Sequence, residues 1–217
     1  MVLGVYGASG LGREVLELAK IINSNNRWTE YIFIDDGNVP DVVADCKVYK
    51  YEDAKSNFKN DLEIVMGIGE PATRIKLFSK IKADGIETPS LIHPGVHIPT
   101  STSIGKGVII QDGCFVSVDV TIHDYVMLQP KCAIGHDCVL EEGCIVSTFD
   151  SIAGAVKIGK CTYVGMSSSI KELVTVGDSS IVGMGSVVYK DVPDEMIAIG
   201  NPARVMRKNE EKHVFKH

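Results

Sequence analysis

A six-residue repeat of aliphatic side chains runs through the second half of this 217-residue chain. Every sixth residue from Ile92 to Val188 is Ile, Leu or Val, which makes 17 consecutive positions. Because these residue types make up about a quarter of ordinary sequence, chance produces such a run with odds on the order of 10⁻¹⁰. A strict six-residue period is typical of a parallel β-helix. Three repeats would form one triangular coil, so the ladder predicts between five and six coils.

The cysteines follow the same phase and do not indicate a disulfide or metal site. Four of them stand four residues after a ladder position, where the chain otherwise has mainly Val, Thr or Ser: Cys114, Cys132, Cys138 and Cys144. A free cysteine behaves as a small hydrophobic residue, so we predict that these side chains pack inside the coils. Cys46 and Cys161 have no metal-ligand spacing.

Two local features of the ladder predict backbone geometry. Glycine directly follows the ladder residue at six positions, where we expect a turn with positive φ: Gly105, Gly135, Gly159, Gly165, Gly177 and Gly183. The unit 146–151 is irregular, because it puts Asp150 in the small inward phase beside Phe149. We expect a distortion or a small loop there.

The first 88 residues lack the six-residue repeat and show a different pattern of apolar residues. The strand Val2–Tyr6 leads into a glycine turn and a helix with apolar residues on one face, and a second strand then ends at Asp35 and Asp36. A third strand, Leu62–Met66, precedes Gly67–Gly69 and a helix opened by Pro71. This order predicts an α/β Rossmann-like domain over 1–88, followed by an all-β parallel β-helix over 89–207. Residues 208–217 form a charged tail, expected to be frayed.

The overall charge gives no indication of a nucleic-acid or membrane partner. The chain has 22 basic and 28 acidic residues, a net charge of −6. No apolar run approaches the roughly 18 residues that span a bilayer. The N-terminus has neither a basic segment nor a cleavage site, so the expected location is the cytoplasm.

Three motifs in order narrow the possibilities. They are Tyr6–Gly12 (YGASGLG), Phe33–Asp36 (FIDD) and Ile134–Asp137 (IGHD) within the ladder. Together they resemble the hexapeptide-repeat sugar acetyltransferases of the NeuD- and PglD-like family, which O-acetylate sialic acid or N-acetylate nucleotide-linked amino sugars. The resemblance implies a left-handed β-helix, a homotrimer with active sites between subunits, acetyl-CoA as co-substrate and no metal.

The resemblance also implies roles for individual residues. His136 would be the general base, Asp137 its neighbouring acid, and the backbone N–H of Gly154 would bind the thioester carbonyl. The acetyl-CoA groove would be lined by Gly154, Gly165, Met166, Gly183, Met184, Pro202 and Arg204. The nucleotide sugar would be held by Ser9, Gly10, Leu11, Gly12, Asp35, Asp36, Gly67, Ile68 and Gly69.

The residues themselves support part of this assignment. A histidine is the usual base for removing a proton near neutral pH, and one backbone N–H on an oxyanion contributes on the order of 3 kcal/mol. Gly154 lies 18 residues after His136, one full coil, so it should stack directly above. Neighbouring side chains in a strand point in opposite directions, so an Asp137–His136 bond needs a corner. Direct attack on the thioester requires no covalent enzyme intermediate.

Several alternatives remain open at this stage. His136 could be a plain surface residue, and His123, which shares its phase with Gly135, is a weaker candidate base. His93 and His97 lie beside prolines and are expected to be structural or exposed.

The N-terminal motif can also be interpreted without a ligand-binding role. In these interpretations the glycine turn serves only to pack the helix against the strand, and Asp35 and Asp36 serve only to end a strand. A dinucleotide cofactor is not expected, because no redox role is implied and the domain is short. A zinc lyase with histidines shared between subunits, and a non-catalytic binding module, are the other function classes.

Four places depart from the family pattern. Gln129-Pro130 replaces Asn-Thr, Ile145 stands where many members have a second histidine, 148–150 replaces a Pro-Gly segment, and Leu11 replaces a common histidine in the glycine loop. They cluster on the acceptor side, so neither the sugar and its nucleotide nor N- against O-transfer is determined by the sequence.

Overall fold

Helices cover both faces of a five-stranded sheet in the N-terminal region. The computed structural model describes residues 1–215, so Lys216 and His217 of the predicted tail lie outside the described residues. The elements are β1 (Val2–Tyr6), α1 (Gly10–Ile22), β2 (Glu30–Ile34), β3 (Val42–Val43), β4 (Cys46–Tyr49), α2 (Tyr51–Phe58), β5 (Leu62–Met66) and α3 (Pro71–Ala83). Strand order is β3-β4-β2-β1-β5, with only β3 antiparallel to its neighbour. The predicted Rossmann-like domain is confirmed.

The central strands of this sheet are apolar because both of their faces are covered. All five residues of β1 and of β5 are buried. Helix α1 packs Val15, Leu16 and Ala19 on one face of the sheet. Helices α2 and α3 pack on the other face. The carboxyl ends of β1, β2 and β5 therefore meet at one edge, where the three predicted acceptor loops begin.

A ladder of 16 two-residue strands follows. They are β6 (Leu91–Ile92), β7 (Ser103–Ile104), β8 (Ile109–Ile110), β9 (Phe115–Val116), β10 (Thr121–Ile122), β11 (Met127–Leu128), β12 (Ala133–Ile134), β13 (Val139–Leu140), β14 (Ile145–Val146), β15 (Ser151–Ile152), β16 (Lys157–Ile158), β17 (Tyr163–Val164), β18 (Ser169–Ile170), β19 (Thr175–Val176), β20 (Ile181–Val182) and β21 (Val187–Val188). A hairpin of β22 (Met196–Gly200) and β23 (Ala203–Lys208) closes the end.

These strands form the three faces of a prism. Face A holds β7, β10, β13, β16 and β19; face B holds β6, β8, β11, β14, β17 and β20, then the hairpin; face C holds β9, β12, β15, β18 and β21. Each strand from β6 to β18 pairs in parallel with the strand one coil later, as in Ile134 with Ile152. The left-handed parallel β-helix predicted from the repeat and the resemblance is confirmed. We call its edges corner AB, corner BC and corner CA.

The interior of the prism is the predicted ladder. All ladder residues are buried except Ile92, Ile98 and Ile104 in the first coil, which are half-buried. The four ladder-phase cysteines are also buried, and the Sγ atoms of Cys114 and Cys132 lie 3.5 Å apart on successive coils. Core packing of these thiols is confirmed.

The prediction of positive φ directly after the ladder residue was wrong. The left-handed residue stands three positions after it, in every turn from Gly107 to Gly185: Gly107, Gly113, Asp119, Tyr125, Lys131, Asp137, Gly143, Phe149, Ala155, Cys161, Ser167, Leu173, Ser179 and Gly185. The six glycines are needed for a different reason, because their Cα atoms touch the next coil. A Cβ on Gly135 would lie 2.7 Å from the backbone N of Gly154.

The N-terminal domain lies on face B of the prism. The outward residues Leu91, Ile109, Met127 and Ile145 are fully or almost fully buried in one cluster with the apolar residues of α1. Helix α1 lines a groove with residues of corner BC. The ring of Phe78 on α3 stacks on the ring of Tyr125 at corner AB, with 3.9 Å between centroids. The boundary at residue 88 stays a prediction.

The described part of the charged tail returns to this domain, where a frayed end was expected. The backbone N–H groups of Val214 and Phe215 donate to Glu70 Oε2 at 2.9 and 3.3 Å. The Phe215 ring packs edge-on against Tyr163. None of the helices within residues 1–215 is long and apolar enough to span a membrane.

Candidate active site

His136 and Asp137 form a hydrogen-bonded pair at corner CA. The distance from His136 Nδ1 to Asp137 Oδ2 is 2.7 Å. Sequence neighbours can meet here because Asp137 is the left-handed turn residue, with a φ of 60°, so the chain turns a corner between the two side chains. If Nδ1 carries the proton and donates it to Asp137, Nε2 is free to accept one. Both side chains are more than half exposed.

Gly154 lies directly above the imidazole ring, as its position one coil later predicted. A Cβ at this residue would stand 2.6 Å from both Cε1 and Nε2 of His136, so only glycine leaves room for the ring. The N–H of Ala155 donates to the His136 carbonyl at 2.7 Å, which joins the two turns. Within residues 1–215, the N–H of Gly154 takes part in no backbone hydrogen bond between turns. A carbonyl oxygen beside the ring could therefore accept it.

The residues predicted to line the acetyl-CoA groove lie mostly at corner BC. Met166 and Met184 are turn residues of successive coils, 44% and 70% exposed, and form an apolar strip on the edge of the prism. Gly183 is in contact with Ile199 of the closing hairpin. Pro202 and Arg204 belong to that hairpin, and Arg204 lines a cleft of about 180 Å³ that also includes Lys190.

The three predicted acceptor loops meet at the carboxyl edge of the sheet. A Cβ on Gly12 would lie 1.8 Å from the Gly7 carbonyl oxygen, and one on Gly67 would lie 2.5 Å from Gly12 Cα. These glycines therefore permit helix–strand packing, which was one of the two interpretations of the motif. The first N–H groups of α1, at Gly10 to Gly12, have no partner within the helix. Such groups are suited to binding a phosphate.

Asp35 and Asp36 are already engaged by the protein. Asp35 accepts hydrogen bonds from the N–H groups of Ala8 and Gly37, at 3.0 and 2.8 Å. Asp36 accepts from the Tyr51 N–H at 2.9 Å and from the Tyr6 hydroxyl. Burial alone would raise the pKa of Asp36, but these hydrogen bonds and nearby lysines lower it overall. Both carboxylates hold the loops in place in this state.

A groove of about 580 Å³ runs between α1 and corner BC. Its walls include Gly10 and Arg13 from the helix and His93, Gln111 and Pro130 from the prism. Gln111 is 5% exposed, and its Oε1 has no hydrogen-bond partner. A buried acceptor without a donor is unfavourable.

Face C of the prism separates the two sets of predicted site residues. His136, Asp137 and Gly154 are at corner CA, whereas Met166, Met184 and the groove beside Gly10 are at corner BC or next to it. The structure thus brings the catalytic candidates together, and it brings the acceptor loops together. Within one chain it does not join the two sets.

The departures from the family pattern have structural explanations. Ile145 is fully buried between the domains, so the place of the second histidine is a core position here. The expected distortion at 146–151 does not occur, since β14 and β15 keep the ladder register. Asp150 fits in the core because its carboxylate accepts the N–H groups of Ser147 and Ser168, both at 2.8 Å. Burial nevertheless raises the pKa of Asp150 to about 8.

The other histidines within residues 1–215 are separate from one another or have partners within the protein. His93 Nδ1 accepts the Gly95 N–H at 3.2 Å, and His123 Nε2 lies 3.7 Å from Glu141 Oε2 at corner AB. Within residues 1–215, no three His, Cys, Asp or Glu side chains are grouped as a metal site.

The sequence reasoning missed Arg74 and Gln111. Arg74 is fully buried on α3, and Gln111 is the orphaned acceptor of the groove. Gln111 occupies the phase where other coils often have glycine, directly after a ladder residue, which was an available signal. For Arg74 the signal was a charged residue beside Ile75 and one turn before Phe78, on the apolar side of α3.

The chain is similar in sequence and in fold to several acetyltransferases. The family model of the PglD N-terminal domain matches residues 2–81. A crystal structure of a histidine-to-asparagine mutant of perosamine N-acetyltransferase from Caulobacter crescentus, in complex with CoA and GDP-perosamine, is 25% identical. It superposes with a TM-score of 0.89 over 96% of this chain and 98% of that one.

A second structure gives the same picture. The acetyltransferase domain of PglB from Neisseria gonorrhoeae FA1090, in complex with acetyl coenzyme A, is 28% identical, with a TM-score of 0.88 over 94% of this chain and 98% of that one.

The curated relatives match over short segments. Galactoside O-acetyltransferase from Escherichia coli strain K12 is 39% identical over 62 residues, which is 28% of this chain and 30% of that protein. The aligned segments span less than a third of the curated relatives' length. The resemblance read from the three motifs is confirmed: residues 2–81 match the model of the PglD N-terminal domain, and the described residues share their two-domain fold with perosamine N-acetyltransferase and with the acetyltransferase domain of PglB.

Proposed function

We propose that this protein transfers the acetyl group of acetyl-CoA to the amino group of a nucleotide-linked deoxyamino sugar. The observation that carries the proposal is the His136–Asp137 pair beneath Gly154, on a fold whose solved counterparts bind acetyl-CoA, or CoA and GDP-perosamine. A base, an oxyanion donor and two binding regions are what acyl transfer from a thioester needs.

In the proposed reaction, His136 Nε2 takes the proton from the attacking amine. The nitrogen lone pair forms the new bond to the acetyl carbon and the carbon–sulfur bond breaks. CoA leaves as the thiol by taking the proton back from the imidazolium. Asp137 fixes the ring through its 2.7 Å bond to Nδ1 and stabilises the imidazolium that forms. The exposed position of the pair agrees with a base that two bulky substrates must reach.

Gly154 would stabilise the tetrahedral intermediate. The Gly154 backbone packs against the imidazole, and its N–H makes no backbone hydrogen bond to another turn in the described residues. An N–H directed at the developing oxyanion contributes most when it is already fixed in place, and the coil above His136 fixes it.

The acceptor would bind along the edge of the N-terminal sheet. Its phosphates would lie at the start of α1, near Ser9 and Gly10, where the unpaired N–H groups and the helix dipole favour an anion. The sugar would extend into the groove beside Arg13 and Gln111. Gly67–Gly69 would pack against it from the β5 side, and Asp35 and Asp36 would keep these loops in place.

A complete site requires a second copy of the chain. His136 is at corner CA and the binding residues are at corner BC, with face C between them. A homotrimer with its threefold axis along the prism would place corner CA of one subunit against corner BC of the next. Met166 and Met184 would then line the acetyl-CoA groove opposite the neighbour's imidazole, with Arg204 close to the CoA phosphates.

The proposal is tested by mixing the purified protein with acetyl-CoA and a panel of acceptors while following free thiol. The panel contains GDP-, UDP- and dTDP-linked 4-amino-4,6-dideoxy sugars, the matching 4-hydroxy sugars, and sialic acid. We expect thiol release with an amino sugar only. Thiol release with none of the amino sugars would contradict the proposal.

The alternative is O-acetylation of sialic acid or a related sugar, because the same base can deprotonate a hydroxyl. Hydroxylamine separates the two products. It removes an O-acetyl ester and leaves an N-acetyl amide intact, so loss of the acetyl mass after treatment would identify O-transfer.

A further inference from the structure

A fully buried arginine on α3 joins the loop after β5 to the β-helix. Arg74 Nη1 donates to the carbonyl of Ile68 at 3.0 Å and, more weakly, to that of Met66 at 3.4 Å. Its Nη2 donates to the carbonyl of Tyr125 at 3.0 Å, on a corner AB turn. The guanidinium also lies over the ring of Phe78, with 5.6 Å to the centroid. One side chain thus spans two domains through three backbone acceptors.

The charge of Arg74 has no carboxylate partner. None of the ion pairs within residues 1–215 includes it, and its Nε has no hydrogen-bond partner. Burial lowers the pKa of Arg74 to about 10, so the group still carries its charge near neutral pH. A buried charge without a carboxylate partner has a desolvation cost that an apolar residue of similar size does not have. Stability alone therefore does not account for an arginine at this position.

The carbonyls that Arg74 binds lie on either side of Gly67. Gly67 packs against the glycine turn of β1, since a Cβ there would approach Gly12 Cα at 2.5 Å. Fixing the Met66 and Ile68 carbonyls therefore fixes two of the three loops at the carboxyl edge of the sheet. The bond to Tyr125 ties their position to the prism, which carries the catalytic candidates.

We propose that Arg74 is a positioning residue that holds the Gly67–Gly69 loop, and with it the acceptor, at a set place relative to the β-helix. This inference rests on the proposed function, because it assumes that the acceptor binds at these loops. Arg74 does not touch the reacting atoms. Its expected effect is on how well the nucleotide sugar is held.

The test compares Arg74→Met with the matched control Phe78→Leu. Both changes weaken the contact between α3 and corner AB, but only the first frees the two loop carbonyls. For Arg74→Met we expect the KM for the nucleotide sugar to rise roughly tenfold, with kcat and the KM for acetyl-CoA changed by less than about twofold. Phe78→Leu should leave all three within about twofold. Arg74→Lys keeps the charge with fewer donors and should be intermediate.

Amide hydrogen exchange gives a readout that does not depend on activity. In the substrate-free protein, Arg74→Met should speed exchange in 66–70 and leave strand β1 unchanged, whereas Phe78→Leu should do neither. An unchanged KM, or equal loop exchange in the two variants, would overturn the inference. If the wild-type protein acetylates no nucleotide sugar, the proposed function fails, and the exchange comparison still decides whether Arg74 holds the loop. If Arg74→Met does not fold, Arg74→Lys is judged by the same criteria.

Discussion

The turns 135–138 and 147–150 are built on the same backbone and carry opposite chemistry. Both follow a ladder residue, and their left-handed residues, Asp137 and Phe149, have φ of 60° and 63°. In turn 135–138, His136 and Asp137 stand two and three positions after the ladder residue and face solvent. In the second, Asp150 stands four positions after it and is 1% exposed.

A shift of one position along the repeat therefore changes what a carboxylate can do. Asp137 reaches its neighbour His136 and stays in water, where it can support proton transfer. Asp150 enters the core, where two N–H groups hold it and burial raises its pKa to about 8. The repeat specifies where each side chain points. The residue at that position then determines whether the turn can take part in catalysis or only stabilises the fold.

The largest effect on activity is expected from replacing His136, in turn 135–138. His136→Ala should lower kcat by roughly 10² or more, because the variant lacks the proposed base, while acetyl-CoA binding measured by calorimetry survives. His123→Ala is the matched control, since it removes an exposed histidine from a turn at corner AB. It should keep kcat within about twofold. Full activity in His136→Ala would refute the assignment of the base.

Asp137→Asn should have an intermediate effect. The amide cannot stabilise the imidazolium, so we expect kcat to fall about tenfold with little change in either KM. Asp119→Asn provides the control, because Asp119 is the left-handed residue of the same corner one coil below and has no histidine before it. A similar loss of activity in both variants would mean that Asp137 acts through the fold and not through His136.

Replacing Asp150, in turn 147–150, should change the stability of the protein and not its catalytic activity. An unfolded Asp loses its proton near pH 4, whereas Asp150 keeps its proton up to about pH 8 in the folded protein. The unfolded state therefore binds fewer protons between these values, and the free energy of unfolding should fall as pH rises through this range, by a few kcal/mol at most. Asp150→Ser should flatten this slope, because Ser168 and Ser186 already fill the same inward column.

Urea unfolding at pH 5 and pH 8 measures the difference. Asp178→Ser is the control: Asp178 also accepts an N–H from the coil below, that of Lys160 at 2.7 Å, but it is exposed. Its pH slope should match that of the wild type. A slope that persists in Asp150→Ser would show that another group is responsible.

The sequence predicted most of the β-helix because a strict period is a global constraint. If Ile134 and Ile152 stack on each other one coil apart, Gly154 must lie above His136, because it is separated from it by the same 18 residues. The same phase placed Cys114 and Cys132 in the core. The Rossmann-like domain was predictable for a similar reason, since strand, glycine turn and helix follow one another in order.

Features that depend on local acceptors were not predictable. The sequence could not show that a carboxylate at Asp150 would find two N–H groups in a regular coil, so a distortion was expected. It could not show that Asp35 and Asp36 would turn back to bind Ala8 and Tyr51. The position of Arg74 on the apolar side of α3 was visible in the sequence, but its partners were not, because they are backbone carbonyls, which every residue has.

We propose above that each site combines corner CA of one subunit with the binding loops of another. Co-expression of His136→Ala and Ser9→Glu chains with different tags tests it, since a carboxylate at Ser9 would repel the acceptor phosphates. Each variant alone should be nearly inactive. In mixed trimers purified through both tags we expect activity to return to about a third of the wild-type value, because each mixed trimer contains one intact site out of three. Mixed oligomers as inactive as either parent would show that one chain carries the whole site and would contradict the claim.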